Sequence, residues 1–121
     1  MIYELRIYTA LPGRMTALQS RFREHTGRLF EKHGIRVVGF WTNLIGGPSD
    51  ELWYLVEFHS LAHREQAWDA FLHDPEWVRV SEESTADGPI VARFGNRILK
   101  PTDFSPPGRA LSPGDTARPG A

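Results

Sequence analysis

The chain has 121 residues, 40% of them hydrophobic and 12% aromatic, with a formal net charge of -1. That is enough for one compact core, with no basic excess to draw the chain to nucleic acid or an anionic membrane surface. The absence of cysteine excludes disulfides, thiolate metal sites and thiol nucleophiles.

Ile2 to Tyr8 alternates Tyr3, Leu5 and Ile7 with Glu4, Arg6 and Tyr8, a period of two that predicts a strand. Its charges also argue against a targeting segment at the N-terminus, and nowhere are there the roughly 20 unbroken apolar residues of a membrane span. A cytoplasmic protein is expected. After Pro12 and Gly13, the residues Met15, Leu18, Phe22, Leu29 and Phe30 fall on one stripe of a helix, with His33 inside it, His25 at its margin and Gly34 as the C-terminal cap. Arg36 to Thr42 and Leu52 to Phe58 read as strands around the turn-forming "GGPSD". Ser60 is placed to cap a second helix carrying Leu61, Trp68, Phe71 and Leu72 on one side. Asp74 and Pro75 interrupt that helix and start a short one, anchored by Trp77 and Val80. Ile90 to Leu99 is the last strand. A domain over residues 1–100 is therefore expected, followed by a Pro- and Gly-rich flexible tail over 101–121, in which Phe104 and Leu111 could dock on a partner.

The order βαββαβ indicates an α+β, ferredoxin-like fold, a four-stranded antiparallel sheet with both helices on one face. The alternation puts Leu5, Ile7, Val38, Phe40, Tyr54, Val56 and Phe58 beneath the helices. The opposite face then holds Glu4, Arg6, Tyr8, Trp41, Trp53, Leu55, Glu57, Arg93 and Arg97. Such an aromatic face calls for a cover, and a second copy of itself would provide one. Glu4, Trp41, Trp53, Leu55, Glu57 and Arg93 are thus the expected interface of a homodimer, with the charges paired into a network that fixes its register.

The segments "YELRIYTALPGRM" (3–15), "KHGIRVVGFWT" (32–42), "ELWYLVEFHSLAHRE" (51–65) and "DPEW" (74–77) resemble the NIPSNAP family of the dimeric α+β barrel superfamily. The resemblance runs to about Leu99. It implies ferredoxin-like protomers paired sheet to sheet, and leaves activity open, since the family's biochemical role is mostly unassigned. The wider superfamily includes cofactor-free monooxygenases, polyketide cyclases, aldoxime dehydratases and haem-degrading enzymes, with substrate between sheet and helices or near the barrel mouth.

Two readings of the aromatic residues stay open. They fill the core, or Tyr54, Trp68, Trp77 and His33 line a pocket for a hydrophobic, aromatic or polyketide-like molecule. In the second reading His25 or Tyr8 moves protons and Arg6 stabilises an oxyanion, giving cofactor-independent cyclisation, isomerisation or oxygenation. The competing class is a non-catalytic scaffold or protein-interaction module. His59 and His63 are four apart, but the first ends a strand and no third ligand is near, so no metal site is expected. No phosphate loop, nucleophile elbow, dinucleotide fingerprint or haem-ligand motif stands in the chain, so no cofactor is expected either.

Overall fold

The computed structural model describes residues 1–106. Strand β1 (Ile2–Ala10) leads into a continuous helical run, α1 (Met15–Arg21), a π-helical turn over Phe22–Thr26, and α2 (Gly27–Lys32). Strands β2 (Arg36–Thr42) and β3 (Glu51–Phe58) form a hairpin, followed by α3 (Leu61–Leu72), α4 (Pro75–Ser84) and β4 (Val91–Leu99). The sheet is antiparallel throughout, in the order β2-β3-β1-β4. Among the described residues no helix is long and apolar enough to cross a membrane. The C-terminal residues from 107 onward, Leu111 among them, lie outside the described part, and Phe104 is exposed.

The chain punctuates its elements with local chemistry. Gly34, at a φ of 76°, ends α2. There the amide of Ile35 donates to the Phe30 carbonyl at 2.9 Å and that of Gly34 to Glu31 at 3.1 Å, the paired bonds of a Schellman cap. Ser60 caps α3 by accepting from the amide of His63 at 3.1 Å. Asp74 caps α4 by accepting from the amide of Glu76 at 2.8 Å, with Pro75 in the first turn.

The core lies between sheet and helices, where Tyr54, Val56 and Phe58 meet Leu18, Phe22, Leu29, Phe30, Ala67 and Phe71. On α3 the inward face is Arg64, Ala67, Trp68 and Phe71, whereas Leu61 and Leu72, expected inside, are exposed.

Strand β1 is inverted relative to the sequence expectation. Glu4, Arg6 and Tyr8 lie under the helices, opposite Val56, Tyr54 and Leu52 of β3 and opposite Ile98, Asn96 and Phe94 of β4. Leu5 and Ile7 take the open face, opposite Leu55 and Trp53. Glu4 is fully buried and is therefore removed from the expected dimer interface. The cause is partner supply. A buried carboxylate is tolerated when it is ion-paired and fully hydrogen-bonded, and α3 brings the donors.

A second correction falls on β2, whose register shifts between Val37 and Gly39. The bulge lets Val37 and Phe40 both face the helices and turns Val38, expected in the core, out to 51% exposure. Trp41, Trp53 and Leu55 do stand on the open face, together with Arg93, which faces Thr9. Glu57 is on that face too, but its partner is Arg36 of the neighbouring strand, at 2.9 Å. The inversion thus clears the open face of Glu4 and Arg6 and leaves it more apolar.

Candidate functional site

The centre of the polar cluster is Glu4. Its Oε1 accepts from Arg64 Nε at 2.8 Å and Trp68 Nε1 at 2.9 Å. Its Oε2 accepts from Arg6 Nη1 and Asn96 Nδ2, both at 2.9 Å, and from Arg64 Nη2 at 3.1 Å. Burial alone would raise the carboxyl's pKa, but the bonds from Arg64, Asn96, Trp68 and Arg6 outweigh it and hold the group at about 2. With its lone pairs occupied, Glu4 is a fixed anion and not a base.

Arg6 carries that anchor to two phenols. Its Nε donates to Tyr54 Oη at 2.8 Å and its Nη2 to Tyr8 Oη at 2.9 Å. The guanidinium carbon lies 4.7 Å from the ring centre of Trp68 and 4.8 Å from that of Phe94, within cation–π range of both. Tyr54 is fully buried. Burial first, and then Tyr8, push its pKa well above the ordinary phenol value against the pull of Arg6. Tyr54 therefore stays protonated, and its hydroxyl donates to Tyr8 Oη at 3.1 Å. The Tyr8 oxygen accepts from Arg6 and Tyr54 together, and its own hydrogen remains to be donated.

Tyr8 is half-buried, behind a Phe94 ring that is 57% exposed and 5.5 Å away. On the other side Phe22, the first residue of the π-helical turn, touches Tyr8, Phe40 and Tyr54 edge-on or tilted, at 5.3 to 5.7 Å. It forms the inner wall of an apolar groove of about 260 Å³ lined by Gln19, Phe22, Arg23, Phe40 and Leu52. A π-helical turn interrupts an α-helix at a local cost and is frequent at functional sites. Chemically, the cluster offers a hydroxyl donor backed by a guanidinium inside a ring-lined wall. That arrangement can stabilise negative charge developing on an oxygen.

Arg6, Tyr8, Tyr54 and Trp68 are thus brought together, whereas three other expected site residues are set apart. His33 is the cap residue of α2, and its Nε2 lies 2.6 Å from Asp74 Oδ2, beside the Lys32 ammonium at 2.8 Å from the same oxygen. It ties α2 to the start of α4. Trp77 rests on Phe71, ring centres 4.7 Å apart, and Phe71 in turn meets Phe30, which touches Tyr54. His25, 41% exposed, faces a groove between α1 and α4, 3.9 Å from the Glu24 carboxylate. His59 follows the last residue of β3, and its amide donates to His63 Nδ1 at 3.0 Å. Arg64 and Asn96 were missed from the sequence. Arg64 stands one turn before Trp68 on α3, a spacing that puts both on one helix face. Asn96 is legible only once β4 is in register with Arg6.

The NIPSNAP sequence profile matches residues 3–106. The chain belongs to the NIPSNAP family. No curated protein matches it. Among solved structures, a NIPSNAP-like domain protein from Burkholderia xenovorans is similar at 27% identity and a TM-score of 0.77, covering 94% of this chain and 97% of its own. A NIPSNAP family protein of unknown function from Agrobacterium tumefaciens is also 27% identical, with a TM-score of 0.76 and coverages of 88% and 92%. A proposed antibiotic biosynthesis monooxygenase from Nitrosomonas europaea shares the fold, with a TM-score of 0.59 at 11% identity over 84% of this chain and 98% of its own. The NIPSNAP chain described here therefore has the ferredoxin-like α+β architecture of the dimeric α+β barrel group.

Proposed function

We propose that this NIPSNAP protein is a homodimer that binds a small planar organic molecule beside Tyr8, between sheet and helices. There it assists cofactor-independent proton transfer of the kind used in cyclisation, isomerisation or oxygenation. The observation that carries the reading is the Tyr8 hydroxyl, which accepts from both Arg6 and Tyr54 and so keeps its hydrogen for a ligand oxygen. As negative charge grows on that oxygen, Tyr8 donates to it, and the Arg6 guanidinium offsets the charge that passes to the phenol. Trp68, Phe94 and Phe22 supply faces for a flat molecule. The homodimer reading rests on Leu5, Ile7, Trp41, Trp53 and Leu55, which share the open face of the sheet and form the kind of contiguous apolar patch that marks an interface.

The Trp68 ring beside Arg6 provides a reporter. Planar hydroxy- and keto-aromatic compounds, titrated against tryptophan fluorescence, are expected to include saturable ligands whose affinity falls about tenfold in Tyr8→Phe, the loss of one directed hydrogen bond. Equal affinity for both proteins would remove Tyr8 from the site. A second reading, a non-catalytic interaction module, is favoured by one feature. Leu44 and Ile45 at the tip of the β2–β3 hairpin are 94% and 92% exposed, an apolar projection suited to another protein.

A further inference from the structure

Each of the largely buried carboxylates Glu4, Asp74 and Glu57 has a cationic partner: Glu4 has Arg64 and Arg6, Asp74 has Lys32, and Glu57 has Arg36. Arg21 is the reverse case. Its Nε is shut off from solvent and has no hydrogen-bond partner. Its one side-chain bond among the described residues runs from Nη1 to the Ser84 hydroxyl, at a long 3.4 Å. Among the described residues it forms no ion pair. A partly buried guanidinium without a counter-charge is costly, and burial lowers its pKa more than Tyr8 and Tyr54 raise it.

Arg21 lines the groove of about 440 Å³ between α1 and α4. One wall of that groove is apolar, made by Ala17, Val80 and Ile90, and the Trp77 ring centre is 5.4 Å from the guanidinium carbon. The groove also contains carboxylates, but Arg14 holds Asp87 at 3.1 Å, His25 lies beside Glu24 at 3.9 Å and Arg79 is 4.0 Å from Glu83. None of them reaches Arg21.

We propose that the α1–α4 groove is a binding site for a small aromatic carboxylate, with its carboxylate on Arg21 and Ser84 and its ring against Ala17, Val80 and Ile90. The ligand supplies the counter-charge that the fold leaves out. A charge-assisted bond to a partly buried guanidinium discriminates between an anion and its neutral isostere. The assignment rests on Arg21 and Ser84 and makes no use of the Tyr8 hydroxyl, although Tyr8 and Tyr54 lie near enough to raise the Arg21 pKa against burial.

Benzoate and benzamide have nearly the same shape and differ in charge, so titration calorimetry of the full chain with both, at constant ionic strength, tests the assignment. Benzoate is expected to bind about tenfold more tightly than benzamide, and Arg21→Met is expected to abolish the difference. In the absence of ligand, Arg21→Met should melt no lower than the parent, because it removes an unpaired charge and keeps an unbranched stem. The Nε–H resonance of Arg21 in the unmodified protein gives a readout independent of any substitution, and it should shift saturably with benzoate and stay unmoved with benzamide. Equal affinities, no binding of either compound, a benzoate preference that survives in Arg21→Met, a marked fall in melting temperature in that variant, or an Arg21 resonance indifferent to benzoate would overturn the proposal.

Discussion

Glu4 of β1 and Arg64 of α3 meet fork to fork, Oε1 with Nε at 2.8 Å and Oε2 with Nη2 at 3.1 Å. This pair ties the centre of the sheet to the helix above it, and the same carboxylate also orients Arg6. Structure and candidate chemistry therefore share one anchor.

Removing the charge at Glu4 leaves Arg6 and Arg64 without compensation. Glu4→Gln should cost about 3–5 kcal/mol at neutral pH, the usual penalty for breaking a buried pair from one side. The pH dependence has a definite sign. The folded-state pKa of Glu4 is depressed from 4.5 to about 2, so its contribution is fully present above the unfolded value and is lost as pH falls from about 4.5 toward about 2. Chemical denaturation across that window should show the parent losing stability steeply and Glu4→Gln along a flatter line.

The two phenols should separate into different roles. Tyr54→Phe strands the Arg6 Nε inside the core and should cost about 1–3 kcal/mol of stability, the penalty of an unsatisfied buried donor. Tyr8→Phe leaves two donors, Arg6 Nη2 and the Tyr54 hydroxyl, without their acceptor, so it should cost at least as much stability and, unlike Tyr54→Phe, remove the hydroxyl that meets the ligand. Urea melts and ligand titrations on the two variants measure both quantities.

The open face makes a prediction about assembly. Trp41→Asp places a carboxylate in the apolar patch and should yield monomers in light scattering. A milder probe is Gly39, where an added Cβ would come within 2.7 Å and 2.8 Å of the far end of the Trp41 ring. That ring is 51% exposed and free to move, so Gly39→Ala should leave the melting temperature of the protomer close to its original value while weakening the dimer. A Trp41→Asp variant that remains dimeric would contradict pairing through this face.

Asp74 caps α4 and receives Lys32 and His33 from the end of the first helical run. Those bonds hold its carboxyl well below the ordinary carboxylate range. Its stabilisation is therefore present above the unfolded pKa and fades as pH falls through the folded one. Asp74→Ala should lower the melting temperature at neutral pH, and Asp74→Asn should lower it less because the amide oxygen can still cap. Calorimetric scans of the two variants decide this.

Element order and boundaries were legible because they depend on local chemistry. Gly34, Ser60 and Asp74-Pro75 act within a few residues of themselves, and the structure uses each as the sequence implies. The direction in which β1 faces was not legible. Alternation separates Glu4, Arg6 and Tyr8 from Leu5 and Ile7, but only long-range partners decide which set turns inward, and the decisive donors Arg64, Trp68 and Asn96 lie 60 to 92 residues away. The bulge at Val38 escaped for a related reason, since one extra residue reverses a strand's parity without a mark in composition. The site suffered with the faces. Arg6 and Tyr8 were expected to do chemistry but assigned to the wrong side of the sheet, so their junction with Tyr54 and Trp68 emerged only from the register.

Native mass spectrometry of the purified protein tests for a homodimer with a small-molecule site at Tyr8. The expected result is a dimer carrying a small aromatic or polyketide-like molecule that denaturing extraction releases from the parent and that is depleted in Tyr8→Phe. A monomer, or a dimer whose bound molecule is retained equally by Tyr8→Phe, would contradict it.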